Sequence, residues 1–306
     1  MLNEFYRKLE EKYAAGNPKE VEYFLLEESR RHFLCCGKTD DVQVAVYNEL
    51  GSYYLNRGRI TQALDQFKVA RDFVATLCGS ETPEYATVVN NLARAYRLAD
   101  NKEKALESYK EALGVYERTV GKDSYLYASA LNNVALLYIE TGSFDKAKED
   151  LFTALDMMKD NDELKQEQAI TLTNIAALYM FQGQNKDAME YLKQAIGIYN
   201  ALPKEQKMHL AAAYNTLGDL LVKEGKKTAA KDSYKTAKDL TARYFGKNTE
   251  YAITCKKLAM LAQSEGDTEN AKAQIQEALD VLRSLGLSKK EIYTETEKLA
   301  GLMDAR

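Results

Sequence analysis

Hydrophobic residues recur along this chain at a spacing that predicts pairs of α-helices. Val134 and Tyr138 are one helical turn apart on one face of a first helix, and Ala147 and Ala154 belong to the apolar stripe of a second. Gly142 lies between them, where a residue that tolerates a left-handed backbone can end the first helix. A single helix pair cannot bury both stripes, so the pattern requires neighbouring copies of itself.

The copies are present at a nearly constant interval. Six alanines share one register, with spacings of 42, 42, 41, 42 and 41 residues, and they are Ala63, Ala105, Ala147, Ala188, Ala230 and Ala271. Each first helix carries a branched aliphatic marker followed by a small residue, and the markers are Leu50, Leu92, Val134, Ile175, Leu217 and Leu258. A period of this length predicts a solenoid, in which each helix pair packs mainly against its neighbours.

With its alternating large and small positions and its turn glycines, the chain resembles the tetratricopeptide repeat family. The resemblance is to the long-repeat branch found in kinesin light chains and bacterial peptide-responsive regulators, and it covers about residues 42–286. It implies an all-α, right-handed α-solenoid of six helix-turn-helix repeats. Residues 1–41 are expected to form a degenerate helix pair that caps one end, with a small partner-docking element as the alternative. Residues 287–306 are expected to form a capping helix at the other end.

Composition narrows the function classes. The chain has 42 basic and 46 acidic residues and a net charge of −4, which argues against general binding of nucleic acids or anionic membranes. No apolar run approaches the roughly 20 residues that a membrane-spanning helix needs. The expected location is therefore cytoplasmic.

Residues that could support catalysis or metal binding do not form a complete set. His32, Cys35 and Cys36 share a predicted helix face but lack a fourth ligand, so a buried edge of the cap is favoured over a metal site. The segment 37–39 ends like a phosphate-binding loop without the required earlier glycine, and no nucleophile is placed by sequence beside His209. We predict no catalytic residue, no metal site and no cofactor, and we expect the four cysteines to be free thiols.

The first helices are predicted to line the concave side of the solenoid, and asparagine recurs there in five consecutive repeats. Asparagine is a poor helix former, but its amide can bind the main chain of an extended peptide. The resemblance carries that role most directly onto Asn91, Asn133 and Asn174. The alternative is that the amides bond to neighbouring helices or to water. The asparagines of this register are Asn48, Asn90, Asn91, Asn132, Asn133, Asn174 and Asn215.

Other residues of the same register vary along the chain. The middle of the predicted groove is apolar and contains Leu136, Ile139, Ala177, Met180 and Phe181. The flanks are basic, with Arg94 and Arg97 on one side and Lys256 and Lys257 on the other, and Asp219 lies in the same register. This arrangement predicts an extended peptide or protein segment with a hydrophobic anchor over the third and fourth repeats and acidic residues toward the arginines.

Three functions remain open from the sequence alone. The first is an adaptor that binds a protein or peptide and has no chemistry of its own. The second is a regulator that a small signalling peptide switches, which acts through a second partner. The third is a scaffold that assembles with copies of itself into a homo-oligomer.

Overall fold

In the computed structural model, the described chain is built from α-helices. The structure describes residues 1–15, 17–35, 41–203, 207, 209–288 and 291–304, and within these ranges it contains fifteen α-helices, a single 3-10 turn and no strand. The chain divides into two compact units, an N-terminal unit of residues 1–141 and a C-terminal unit of residues 142–306. The division falls between the two helices of the third predicted repeat.

The helices of the N-terminal unit follow the predicted pairs. They are α1 (Leu2–Ala14), α2 (Pro18–Cys35), α3 (Asp41–Asn56), α4 (Ile60–Cys78), α5 (Pro83–Leu98), α6 (Lys102–Thr119) and α7 (Tyr125–Glu140). Leu50 and Phe67 share a core with Leu92, and Ala93 and Tyr109 share the next core with residues of α7. Each core therefore joins a helix pair to the first helix of the following repeat, as a solenoid requires.

The C-terminal unit repeats the same arrangement. Its helices are α8 (Phe144–Met158), α9 (Lys165–Phe181), α10 (Asn185–Ala201), α11 (Leu210–Lys223), α12 (Lys227–Phe245), α13 (Thr249–Glu265), α14 (Thr268–Ser284) and α15 (Glu291–Asp304). Leu192 packs with Ala213, Tyr234 packs with Leu258, and Ile275 packs with Met303 of the last helix. All six marker alanines are buried. The prediction of an all-α solenoid is confirmed.

The helix ends follow from local sequence signals. Thr82 caps α5 by accepting a hydrogen bond from the backbone N–H of Tyr85 at 3.3 Å, and Pro83 occupies the first helical position. Five repeats place a glycine with positive φ between their two helices, and the second repeat places Asp100 there. Asp100 has a φ of 57° and is the only residue other than glycine with a positive φ in the described ranges. The turn geometry is thus kept even where the glycine is replaced.

The capping role of the two ends of the chain stays a prediction. Phe5 and Leu9 of α1 pack in the same core as Leu50 of α3, and Met303 of α15 packs on α13 and α14. Residues 289 and 290, near the start of the predicted C-terminal capping helix, lie outside the described residues.

Candidate functional site

Asparagine side chains connect neighbouring first helices in the N-terminal unit. Asn91 Nδ2 of α5 donates to Asn48 Oδ1 of α3 at 3.0 Å, and Asn133 Nδ2 of α7 donates to Asn90 Oδ1 of α5 at 3.4 Å. We call Asn48–Asn91 and Asn90–Asn133 the amide pairs. The partners in each pair are 43 residues apart, one repeat plus one residue. The hydrogen bonds to neighbouring helices that the sequence left as an alternative are therefore present.

Each amide pair leaves hydrogen-bonding capacity on the donating asparagine. Asn91 and Asn133 are half-buried, and each uses one amide N–H in its pair. Within the described part of the chain, their carbonyl oxygens accept no hydrogen bond. Each side chain therefore keeps an acceptor and a second donor, while the bond to the neighbouring helix fixes its orientation.

Three predicted site residues of the N-terminal unit are buried below the surface that the outer asparagines, Asn91 and Asn133, help to form. Asn90, Asn132 and Ile139 are each less than 10% exposed, and Asn132 Nδ2 donates to the backbone carbonyl of Ala128 at 3.4 Å. Leu136 is half-buried and closer to solvent. The three buried residues support the surface, whereas Leu136 and the outer asparagines form part of it.

The two arginines of the N-terminal unit differ in their surroundings. Arg94 is exposed, whereas Arg97 is mostly buried and forms an ion pair with Glu140 of α7. Close to Arg97, the Tyr109 hydroxyl is buried and makes no hydrogen bond of normal geometry among the described residues. Burial raises the pKa of Tyr109, and the nearby charge of Arg97 acts in the opposite direction. The positive charge expected from Arg97 is thus balanced within the chain.

The charged residues of the C-terminal unit are also paired. Asp219 accepts a hydrogen bond from the Tyr234 hydroxyl at 2.7 Å and forms an ion pair with Lys257 Nζ at 2.7 Å. Lys256 Nζ pairs with Glu295 of α15 at 2.9 Å. Burial, followed by the hydrogen bond to Asp219, raises the pKa of Tyr234. Both lysines of the expected basic flank therefore have carboxylate partners from their own chain.

The amide contacts of the C-terminal unit include a residue that the sequence pattern did not indicate. Asn215 Nδ2 of α11 donates to the Thr254 hydroxyl oxygen of α13 at 3.0 Å. The single proton of that hydroxyl is shared between Asn215 Oδ1 at 3.1 Å and the backbone carbonyl of Glu250 at 2.9 Å. Thr254 has the same function as the partner asparagines of the N-terminal unit, but it has a different side chain.

Large apolar side chains are exposed on successive first helices of the C-terminal unit. Phe181, Val222 and Met260 are 60%, 43% and 53% exposed, on α9, α11 and α13 respectively. Lys223 Nζ donates to the backbone carbonyl of Met180 at 3.0 Å and connects the ends of α11 and α9. The other predicted residues of α9 that contribute to this surface are half-buried, and they are Asn174, Ala177 and Met180.

The described residues contain no group of three His, Cys, Asp or Glu side chains that could hold a metal ion. The side chains of His32, Cys35 and Cys36, and the segment 37–39, lie outside what the structure describes. Cys78 is a free exposed thiol and Cys255 is a free buried one. In the parts of the chain that are described, every helix is too short or too polar to span a bilayer.

Comparison with known proteins defines the class. A tetratricopeptide repeat family model matches residues 42–118, 103–160, 126–201 and 167–242, which together span most of the chain. The chain therefore belongs to the tetratricopeptide repeat family, as the repeated residues predicted. A model of anaphase-promoting complex subunit 5 matches residues 219–286. No curated protein matches the sequence.

Several solved structures share the fold. A Rap protein complexed with Competence and Sporulation Factor is 17% identical with a TM-score of 0.67, and the match covers 99% of this chain and 85% of that one. BtubC (BKLC) from P. vanneervenii is 25% identical with a TM-score of 0.55, over 65% of this chain and 80% of that one. A chain of the APC/C hetero-tetramer Cut9–Hcn1 is 15% identical with a TM-score of 0.60, over 96% of this chain and 48% of that one. Repeats of this family form protein–protein interaction modules and are generally not catalytic.

Proposed function

We propose that this protein binds an extended segment of a partner protein along its first helices and carries out no chemistry of its own. The observation that carries the proposal is the state of Asn91 and Asn133, whose amides are oriented by a neighbouring helix and still offer a donor and an acceptor. An amide in this state can bind the main chain of a peptide without a large loss of side-chain entropy, because its rotamer is already fixed.

The spacing of the two asparagines suits an extended chain. Asn91 and Asn133 lie on adjacent first helices, α5 and α7, and packed helices are roughly 8–10 Å apart. An extended peptide advances roughly 3.3 Å per residue, so successive amides would meet about every third residue of the partner. Recognition of this kind would depend on the peptide main chain and leave side-chain preferences to the neighbouring residues.

Side-chain preferences of the partner would come from charged and apolar neighbours. In the N-terminal unit, the exposed guanidinium of Arg94 favours an acidic residue in the partner, and the charge of Arg97 is balanced by Glu140. In the C-terminal unit, the exposed Phe181, Val222 and Met260 favour apolar side chains, since exposed apolar groups on successive helices are typical of interaction surfaces.

The test uses peptides selected from a random display library against the immobilised full chain, with affinities measured by calorimetry. Two neutral hydrogen bonds contribute roughly 0.5–1.5 kcal/mol each, so the double variant Asn91→Ala/Asn133→Ala should bind about tenfold more weakly. Asn200→Ala is the matched control, because Asn200 is an exposed asparagine of the second helix α10. Thermal melting checks that all three proteins are folded.

Chemical changes in the peptide make the test specific for the main chain. N-methylation of the peptide amides that face Asn91 and Asn133 should weaken binding to the wild type and have little further effect on the double variant. Equal affinity of the wild type and the double variant would contradict the proposal. A mass that rises with protein concentration, without peptide binding, would favour the self-assembling scaffold. A selected peptide that changes binding of a second protein would favour the regulator.

A further inference from the structure

The C-terminal unit carries a row of exposed apolar side chains. Within its described residues, four large apolar side chains are exposed, and each lies on a different first helix, α9, α11, α13 or α15. Leu302 of α15 is 66% exposed and joins Phe181, Val222 and Met260. Exposed apolar residues scattered singly need no explanation, but one on every first helix of a unit indicates an interaction surface.

The side chains of this row point to the same side of the unit. Phe181, Val222 and Met260 follow the aliphatic markers of their helices by six, five and two residues. At about 100° per residue, all three lie within about 60° of the direction opposite to the marker. They therefore face away from the core that the markers help to form.

Leu302 belongs to the row because α15 repeats the packing of α13. Met303 of α15 packs against Ile275 of the second helix α14, and Leu261 of α13 packs in the same way against the preceding second helix, α12. Met303 thus takes the place of Leu261, and Leu302 takes the place of Met260.

Hydrogen-bonding groups on the same helices are already engaged. Asn215 engages both its amide N–H and its carbonyl oxygen with Thr254, and Lys256 and Lys257 pair with carboxylates of their own chain. An extended segment over the row would leave main-chain groups unpaired where the contact excludes water, which costs free energy. A helix satisfies its own main-chain groups, so it suits this surface better.

The spacing of the row also suits a helix. Packed helices are about 8–10 Å apart, so the row advances by about that distance from one first helix to the next. An α-helix rises about 10.5 Å in seven residues, so apolar residues seven positions apart meet one side chain of the row at each repetition. Four first helices then match a helix of roughly 20 residues.

Lys223 adds a charge preference near one end of the row. It directly follows Val222, and its Nζ donates at 3.0 Å to the backbone carbonyl of Met180, the residue before Phe181. Among the described residues, no carboxylate pairs with Lys223. An acidic side chain of a ligand would therefore be favoured at this end.

We infer that this row binds an amphipathic α-helix of a partner protein, with apolar residues seven positions apart and an acidic residue beside the stripe where it meets Lys223. The inference rests on the proposed function only in taking the ligand to be a segment of a partner protein. It assigns a helical ligand to the C-terminal unit, whereas the amides of the N-terminal unit favour an extended one.

The test compares two peptide display libraries selected against the immobilised full chain. In the first, leucine is fixed at every seventh position of a peptide of about 20 residues, and the other positions vary among alanine, glutamate, glutamine and lysine. The second is the same library with a proline at the centre, which breaks the helix. Binders should come from the first library alone, with glutamate enriched beside the leucine stripe.

Variants of the full chain then locate the contact by fluorescence anisotropy. Phe181→Ser/Met260→Ser should weaken binding of the selected peptides about tenfold. Leu77→Ser is the matched control, because Leu77 is a 41% exposed apolar residue of the second helix α4, and it should bind like the wild type. Lys223→Gln should weaken binding about threefold, and only for peptides that keep the glutamate beside the stripe.

Three results would overturn the inference. The first is a lack of binders in the first library, or binders of equal affinity in the proline library. The second is equal affinity for the wild type and Phe181→Ser/Met260→Ser, with melting used to check that both are folded. The third is a mass that rises with concentration in the wild type alone, because a second copy of the chain would then occupy the row. Failure of the amide proposal is separate, since Asn91→Ala/Asn133→Ala should still bind the helical peptides.

Discussion

Tyr109 and Tyr234 occupy the same register in the second helices of two repeats, but their hydroxyl groups have different surroundings. The Tyr234 hydroxyl donates to Asp219 at 2.7 Å. The Tyr109 hydroxyl is buried, lies close to the Arg97 guanidinium, and makes no hydrogen bond of normal geometry in the described ranges. Substitution by phenylalanine removes only the hydroxyl in each case. We therefore expect Tyr234→Phe to destabilise the protein and Tyr109→Phe to leave its stability unchanged or increased.

The magnitudes follow from the partner of each hydroxyl. A hydrogen bond to a charged group contributes about 1.5–3 kcal/mol. Asp219 keeps Lys257 as a partner after the substitution, so Tyr234→Phe should cost about 1.5 kcal/mol, the lower end of that range. An unpaired buried hydroxyl carries a desolvation cost of about 1–3 kcal/mol. The charge of Arg97 nearby offsets part of this cost, so Tyr109→Phe should stabilise by at most about 1 kcal/mol.

The assay must resolve local stability, because a repeat array can unfold in parts. Hydrogen exchange of the amides in α6 and α12 reports the two repeats separately, and guanidinium denaturation followed by circular dichroism gives the global change. A loss of more than about 1 kcal/mol in Tyr109→Phe would refute the reasoning, because it would show that the buried hydroxyl makes a favourable interaction. Equal changes in both variants would refute it as well.

The fold could be predicted because solenoid packing is local. Each core involves one helix pair and the first helix of the next repeat, so the spacing of Ala105 from Ala63, and of each later alanine, contains most of the required information. The division of the chain between α7 and α8 could not be predicted. Gly142 between these helices has the same positive φ as the glycines between other helix pairs, so nothing in the local sequence distinguishes this turn.

The charges of the candidate site were predicted less well, and the reason is geometric. Arg97, Asp219 and Lys257 belong to the predicted groove, but the repeat register describes each helix separately and does not show which residue of the next helix a side chain meets. The ion pairs form between successive first helices, between residues 43 and 38 positions apart. Whether two such side chains meet depends on the rotation and separation of the helices, which the apolar pattern defines only approximately.

The hydrogen-bonding partners of the asparagines could not be predicted from the sequence for the same geometric reason. The repeat register aligned Asn90 with Asn132, yet Asn90 bonds to Asn133, one residue further along the chain. In the C-terminal unit, the partner of Asn215 is Thr254, a residue outside the asparagine register. The sequence identified a recurring amide, whereas the choice of partner depended on rotamers and on the offset between neighbouring helices.

Two further predictions concern pH and packing in the C-terminal unit. Burial favours protonated Glu277, but hydrogen bonds from Lys238, Tyr251 and Lys247 outweigh it and lower its pKa from 4.5 to about 2. The ionised Glu277 should stabilise the protein above pH 4.5, and this effect should be lost toward pH 2. The melting temperatures of the wild type and Glu277→Gln should therefore differ near neutral pH and converge in acid. A difference that stays constant with pH would contradict this prediction. Gly218→Ala should destabilise the protein by about 1 kcal/mol, because overpacking costs about 1–3 kcal/mol and the gain in helix propensity is about 1 kcal/mol.

The glycine prediction depends on how freely one ring can move. A Cβ at Gly218 would lie 2.4 Å from the ring of Tyr234, whereas the second repeat accommodates Ala93 beside Tyr109 in the same core. The Tyr234 ring is held by its hydrogen bond to Asp219, so it cannot shift as easily as Tyr109. Gly218→Ala should therefore cost less in a Tyr234→Phe background, and an unchanged cost there would refute this explanation. Gly197→Ala is the control, because nothing lies within 4 Å of the added Cβ, and it should stabilise α10 by about 0.5–1 kcal/mol.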